Sequence, residues 1–306
     1  MKNLEIEKSS SAVIKMFSAM VLMGTVGYFV IESQQNAYNV VFYRCLFGSA
    51  FMLIYCFFKG MFNNINFSKK YFLWIGISGV FLVFNWVMLF ESFKTASIAV
   101  STTIYHVQPF LFVIIWSFIF REKVDIDKWV LMIFAFIGVI FVIDIDLSSF
   151  NFSTEYTYGV ALALLAALFW AISAVITKKV QSVQKITPHI IVLVQLVIGI
   201  IVLYPFTYLQ TINEVTNIQW IYLIILGLVH SCLTYVLMYS SYKDLSAPLI
   251  GIMTFIYPAV AIIVDYIFYE EVLNSFQIIG VFIIMVSSFL STQNIRIFRS
   301  KKILKI

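Results

Sequence analysis

Residues 97–123 read SIAVSTTIYHVQPFLFVIIWSFIFREK, and this stretch decides the fold. It is a long apolar run with Tyr105, His106, Gln108 and Pro109 at its middle, closed by Arg121, Glu122 and Lys123. From Thr95 to Phe120 there are 26 positions without a formal charge. An apolar run of 18 or more residues is long enough to cross the hydrocarbon layer of a bilayer as a helix. Residues 246–272, SAPLIGIMTFIYPAVAIIVDYIFYEEV, repeat the plan. A shift of 149 positions lays Ser92 on Ser241, Lys94 on Lys243, Ser97 on Ser246, Pro109 on Pro258, Ile114 on Ile263 and Glu122 on Glu271. Each copy is a span with a central proline, ended by a glutamate. A repeat at this distance predicts a chain built from two similar halves, residues 1–150 and 151–306.

The rest of the chain has the same character. Hydrophobic residues make up 62% and charged residues 11%, whereas a soluble domain carries about 25% charged residues. A large soluble core is thereby excluded, and no polar stretch is long enough for a soluble domain. Ten spans are predicted, at about 12–31, 38–58, 71–93, 95–120, 129–145, 156–177, 188–209, 218–241, 246–269 and 274–294. The fifth has the shortest apolar run. Met1–Ser11 is polar and of mixed charge, and no A-x-A-like site follows, so the first run is read as a retained helix. Cys45, Cys56 and Cys232 all sit in apolar runs without metal-ligand spacing, which reads as reduced, buried thiols. The modest net charge of +5 carries no implication of a nucleic-acid partner.

Lys and Arg set the expected orientation. With the N-terminus in the cytoplasm, 18 of the 20 basic residues fall on that side, the basic tail from Arg296 to Lys305 among them. Only Lys94 falls outside, and Arg44 falls within a span. The outer segments instead carry Glu32, Glu91, Asp144, Asp146, Glu155, Glu214, Glu270 and Glu271. Glu122 then ends its span inside and Glu271 ends its span outside. Five spans per half is an odd number, so the halves are expected to be inverted. The predicted fold is an all-α membrane protein of ten transmembrane helices in two inverted five-helix repeats, with both termini cytoplasmic. Inverted repeats place one site near the bilayer midplane at their interface.

The residues expected at that site are the polar and aromatic ones inside the spans. Proline removes a backbone donor and clashes with the carbonyl four residues earlier, so Pro109 and Pro258 should kink their helices and free the carbonyls of Tyr105 and Thr254 to face a cavity. Thr102, Tyr105, His106 and Pro109 share a helical face, matched by Gly251, Thr254, Pro258, Ala261 and Asp265. His106 can bind substrate or carry a proton, or be a neutral histidine bonded to a neighbouring helix. Arg44 lies inside the second span and needs a partner, for which Glu91, Glu32 and a substrate carboxylate are the candidates. Asn85 and Trp86 correspond under the shift to Thr234 and Tyr235. With Gln108, Trp170, Tyr257 and His230 they complete the binding candidates, a few polar groups among aromatic walls. Glu91, His106 and Asp265 are candidates for coupling or gating. Gly159, Ala163, Ala167 and Ala171, like Gly24 and Gly27, read as close helix packing.

The string from Asn85 to Gly138, with Lys94-Thr95-Ala96-Ser97, Gln108-Pro109, Phe120-Arg121-Glu122-Lys123 and Ile137-Gly138-Val139, resembles the ten-helix EamA-type members of the drug/metabolite transporter superfamily. So do Leu168-Phe169-Trp170-Ala171 and the second copy from Tyr257-Pro258 through Glu271 to Gln277 and Gly280. The resemblance covers nearly the whole chain. It differs where relatives often have a tryptophan in the first span and this chain has Met23-Gly24-Thr25. It implies a bacterial inner-membrane carrier of small metabolites, often an exporter of amino acids or related compounds, with uptake carriers and exchangers among the relatives. A secondary carrier without catalytic activity, metal or cofactor is the expectation, its partners being a small solute, the bilayer and candidate protons. No G-x-x-x-x-G-K-[ST] string is present. Two rival readings are a membrane scaffold and an intramembrane serine protease built on Gly76-Ile77-Ser78-Gly79, with His230 as base.

Overall fold

The computed structural model describes residues 2–62, 68–96, 98–143, 154–184, 186–207, 215–269 and 274–293, with side chains left out at 2–9, 98, 99, 143 and 265. Glu270, Glu271, Asp144, Asp146, Glu214, Ser97, Lys185 and the basic tail lie outside the described residues, as does the side chain of Asp265.

Every regular element among the described residues is helical. In order they are α1 Lys2–Gly24, α2 Val26–Glu32, α3 Ala37–Phe58, α4 Lys69–Ala96, α5 Ile98–Tyr105, α6 Gln108–Phe120, α7 Ile126–Ile143, α8 Thr154–Val183 and α9 Pro188–Leu203. Then come α10 Asn217–Ile225, α11 Thr234–Tyr242, α12 Ala247–Thr254, α13 Ile256–Tyr269 and α14 Ser275–Thr292. A π-helical segment, Leu226–Leu233, joins α10 to α11. Among the described residues nine helical stretches are long and apolar enough to cross a membrane. Their outer faces carry bare aromatics, with Phe118 86% and Phe58 81% exposed. Apolar patches on that scale mark a partner surface rather than water, and here the partner is lipid.

Local chemistry fixes where several helices begin. The Asn36 side chain accepts from the Asn39 N–H at 2.9 Å and starts α3. Thr216 with Gln219, and Asn274 with Gln277, form reciprocal capping boxes at α10 and α14. Pro188 opens α9, where its missing N–H is no loss. The expected span 156–177 is longer in the structure, because α8 continues to Val183 and takes Lys178 into the protein interior. There the Lys178 ammonium donates to the carbonyls of Tyr242 (2.5 Å) and Leu245 (2.7 Å), capping α11 at its C-terminal end.

The two proline spans break rather than kink. α5 stops at Tyr105 and α6 starts at Gln108; α12 stops at Thr254 and α13 starts at Ile256. In the first gap the His106 N–H is shared between the carbonyls of Thr102 and Thr103, and the Val107 N–H goes to Ile104. The ladder tightens for one turn because Pro109 cannot supply the next donor.

Small residues allow the close approaches. Ala163, Ala167 and Ala171 of α8 have no exposed surface, and a β-carbon on Gly159 would sit 2.8 Å from the Ala96 backbone nitrogen. Gly24 faces the Tyr257 carbonyl, 2.7 Å from where its β-carbon would be, whereas Gly27 faces open space and plays no such part. α4 packs along α8, α7 along α14, α3 against α9 and the π segment, α1 against α11 and α13, and α6 against α8 and α12.

Candidate functional site

The interior of this bundle holds a polar set where an apolar core would be expected. Arg44 on α3 is 1% exposed. Its Nε donates to Ser231 Oγ at 3.1 Å, and its guanidinium lies 4.3 Å over the Trp86 ring. Neither candidate carboxylate reaches it. Glu91 pairs with Lys94 at 2.8 Å on the surface, and Glu32 accepts from the Tyr269 hydroxyl at 3.1 Å. The expectation of a Glu91 or Glu32 partner is therefore corrected: each carboxylate is engaged elsewhere, and Arg44 is held by Ser231 and Trp86 instead. Arg44 Nη2 is left without a hydrogen-bond partner.

Trp86 on α4 donates through Nε1 to the Tyr235 hydroxyl on α11 at 3.0 Å, the rings meeting edge to face at 5.4 Å. These two residues are 149 positions apart. So are Gln108 on α6 and Tyr257 on α13, whose side chains meet at 3.4 Å. Asn85 donates to the Tyr105 hydroxyl at 3.0 Å and to the Ala166 carbonyl at 2.7 Å, tying α4 to α5 and α8. His106 sits in the proline break, its Nδ1 2.5 Å from the Thr102 carbonyl and its ring 4.7 Å from that of Tyr257. A ring nitrogen on a carbonyl is the protonated one, so Nε2 is an acceptor, and it has no partner; nor has Gln108 Oε1.

The other expected residues are peripheral to these contacts. Thr254 turns back to the Gly251 carbonyl at 2.7 Å, just before the second break. Trp170 packs edge-on to Phe112 at 6.0 Å and joins the set through Tyr242, Tyr239 and Tyr235. Pro109 and Pro258 are buried.

Sequence reading missed the residues that hold this set in place. Ser231, the anchor of Arg44, lies in the π segment, where its hydroxyl and that of Thr234 donate five residues back, to Leu226 (2.9 Å) and Val229 (3.0 Å). Such segments recur at functional sites because they re-aim side chains. Thr25 separates α1 from α2 and meets His230 Nε2 at 2.8 Å, and His230 Nδ1 is unpartnered. Gln195 on α9 accepts from Tyr239 at 3.0 Å and donates to Ser78 at 2.9 Å and Thr177 at 3.2 Å. Thr25 and Gln195 are lone polar residues in apolar runs, which was the available signal. Ser78 donates to the Ile75 carbonyl at 2.7 Å and accepts from Gln195. Its partners include no base, and His230 is engaged with Thr25, so nothing here activates Ser78 as a nucleophile.

A cavity of about 610 Å³ lies elsewhere, between α4 and α9 at their Lys69 and Ile190 ends, and is lined mainly by apolar side chains. The polar set itself is closed over: Arg44, Trp86, Tyr105, His106, Gln108 and Tyr235 are all buried. What the arrangement offers chemically is one fixed cation, several unsatisfied donors and acceptors, and aromatic walls, with two broken helices beside it.

Comparison with known proteins places this geometry in context. Residues 10–144 and 157–293 each match the EamA-like transporter family. A protein of Bacillus subtilis (strain 168) named "Uncharacterized transporter YxxF" is 32% identical over 91% of this chain and 88% of its own. An "Uncharacterized transporter" of Archaeoglobus fulgidus is 24% identical over 85% of this chain and 88% of its own. One solved crystal structure matches with a TM-score of 0.80 over 95% of this chain and 99% of its own, at 16% identity, a likeness of fold alone.

Proposed function

The chain belongs to the EamA-like transporter family, and from that premise we propose that it is a secondary active transporter of a small polar or amphipathic metabolite, an amino acid or related compound. It works by alternating access in a bacterial inner membrane, with both termini cytoplasmic and export the expected direction. Uptake or exchange by the same fold is the alternative direction.

The observation that carries this reading is the pair of hydrogen bonds joining residues 149 apart, Trp86 to Tyr235 and Gln108 to Tyr257. Side chains in equivalent places of two repeats meet each other only close to the axis that relates the repeats. These contacts support an axis through the buried polar set. The packing supports the same relation. α4 and α6 both pack on α8, as their counterparts α11 and α13 both pack on α1. The helices broken before Pro109 and Pro258 are also counterparts. We therefore divide the chain into two oppositely oriented five-helix halves, about 1–150 and 151–306. Interrupted helices at a midplane interface are how such carriers present backbone groups to a solute, and rocking of one half against the other opens the site to one side at a time.

In this reading Arg44, Asn85, Trp86, Tyr105, His106, Gln108, Trp170, Tyr235, Thr254 and Tyr257 line the opened cavity, Pro109 and Pro258 set the breaks, and Glu91, His106 and Asp265 serve coupling or gating. The test is metabolite profiling of medium and cells with and without the protein, followed by flux of the solute found in proteoliposomes. Alanine at His106, Gln108 and Tyr257 together should abolish that flux. Flux that survives the triple change refutes the site, and no flux from wild type refutes the function.

A further inference from the structure

We infer that the transported solute carries a free carboxylate, and that Arg44 is the residue that receives it. This rests on the transport reading and specifies the solute class for the same site.

Four observations carry it. First, a guanidinium is ionised at all attainable pH and presents donors only, so Arg44 cannot escape burial by losing its proton. Second, no carboxylate pairs with Arg44 among the described residues. The partners Arg44 does have are a neutral hydroxyl, Ser231, and the face of Trp86. Third, Nη2 keeps two N–H groups with nothing to accept them although it is fully covered. An unpaired buried donor on a charged group is held against a substantial penalty. Fourth, the group is oriented, not loose. The Trp86 indole is itself fixed by its bond to Tyr235, and Ser231 is fixed by its own bond to Leu226. A buried donor edge held from two sides and left without an acceptor is a preformed receptor for an anion.

A carboxylate fits these constraints best. It supplies one negative charge against one fixed positive charge, and its oxygens accept from an arginine edge in the guanidinium plane. The Trp86 ring, 4.3 Å from the guanidinium carbon, offers a π face and no hydrogen-bond acceptor to that edge. A cationic or neutral solute would leave the Arg44 charge uncompensated when the site closes.

The experiment begins with extracellular and intracellular metabolite profiles of cells carrying wild type, Arg44→Lys, Arg44→Gln or no copy of the protein. The solutes whose distribution depends on wild type should bear a carboxylate, and Arg44→Gln should abolish that dependence. Arg44→Lys, which keeps the charge but loses the planar fork, should retain part of it. The acid so identified is then compared with its primary amide in proteoliposomes holding wild-type protein. The amide should compete for acid flux about 30-fold less well or worse, as when one member of a buried charged pair is lost. That comparison needs no variant, so it stands even if Arg44→Gln does not fold. Dependent solutes lacking a carboxylate, or an amide as effective as the acid, overturn the inference while leaving the transport reading intact. Wild type that moves no solute at all overturns both.

Discussion

The hydrogen bond between Trp86 and Tyr235 can be tested by a double-substitution cycle. Tyr235→Phe removes the acceptor 3.0 Å from the indole N–H and leaves that donor buried, since both residues are under 5% exposed. An unsatisfied buried donor costs about 1–3 kcal/mol. Trp86→Phe removes the donor, some packing volume and the ring under Arg44 at 4.3 Å, so it should cost more, about 2–4 kcal/mol once the cation–π contact and the space left are included. In the double variant no indole N–H remains to be stranded, so the second change costs less than the first. The coupling should be about 0.6–1.5 kcal/mol, the lower figure being typical of polar contacts between membrane helices. The assay is reversible unfolding of the purified protein in mixed micelles, read for wild type, both single variants and the double. Additivity within 0.3 kcal/mol would show that the two side chains do not meet in the folded protein, and would remove the main support for an axis through the polar set.

Other outcomes follow from the same contacts. Pro109→Ala and Pro258→Ala restore the missing donor, so the helices should run through their breaks; flux should fall at least tenfold with thermal stability unchanged or raised, and unchanged flux would show the breaks to be passive. Gly79→Ala would push a β-carbon to 2.9 Å from the Gln195 backbone and should destabilise by about 1–3 kcal/mol, read by the same unfolding assay; no loss would mean α4 and α9 are not this close. If His106 carries a proton, His106→Gln should flatten the pH dependence of flux, and an unaltered profile would make its role structural. Lys94→Ala opens a half-exposed surface pair with Glu91 and should change stability by no more than about 1 kcal/mol.

Nine of the ten expected spans, all but the fifth at 129–145, have a counterpart long and apolar enough to cross a membrane among the described residues, and they were legible because they depend on local chemistry. Apolar length gives the helices, and Pro109 and Pro258 mark where two of them are interrupted. Even so, the sequence suggested kinks where the structure has stops. A missing donor weakens the ladder, but neighbouring groups decide how far it opens, and here the His106 N–H finds two carbonyls one turn back. The 149-residue shift pointed to Trp86 and Tyr235 as counterparts but not as contacts, because a repeat gives correspondence without distance. Arg44 was legible as a residue in need of a partner. That its partner is Ser231 was not, since the serine reaches it only through the π segment, and a register change of that kind has no periodic signature. Lys178 falls just past the expected span 156–177, at a Lys178-Lys179 pair, yet α8 carries it inward to cap α11. Gln195, hub of the α4–α8–α9–α11 contacts, was passed over as a single amide among apolar neighbours.

The most direct check of the central claim is to locate the two repeat ends relative to the membrane. Single cysteines replacing Lys123 and Val272, in a background where Cys45, Cys56 and Cys232 are serine, would be labelled in intact cells and in inverted vesicles with a membrane-impermeant maleimide. Two opposed halves require position 123 to react only from the cytoplasmic face and position 272 only from the outer face. Labelling of both from the same face would leave the halves parallel, and a site that opens alternately to each side would have no geometry to stand on.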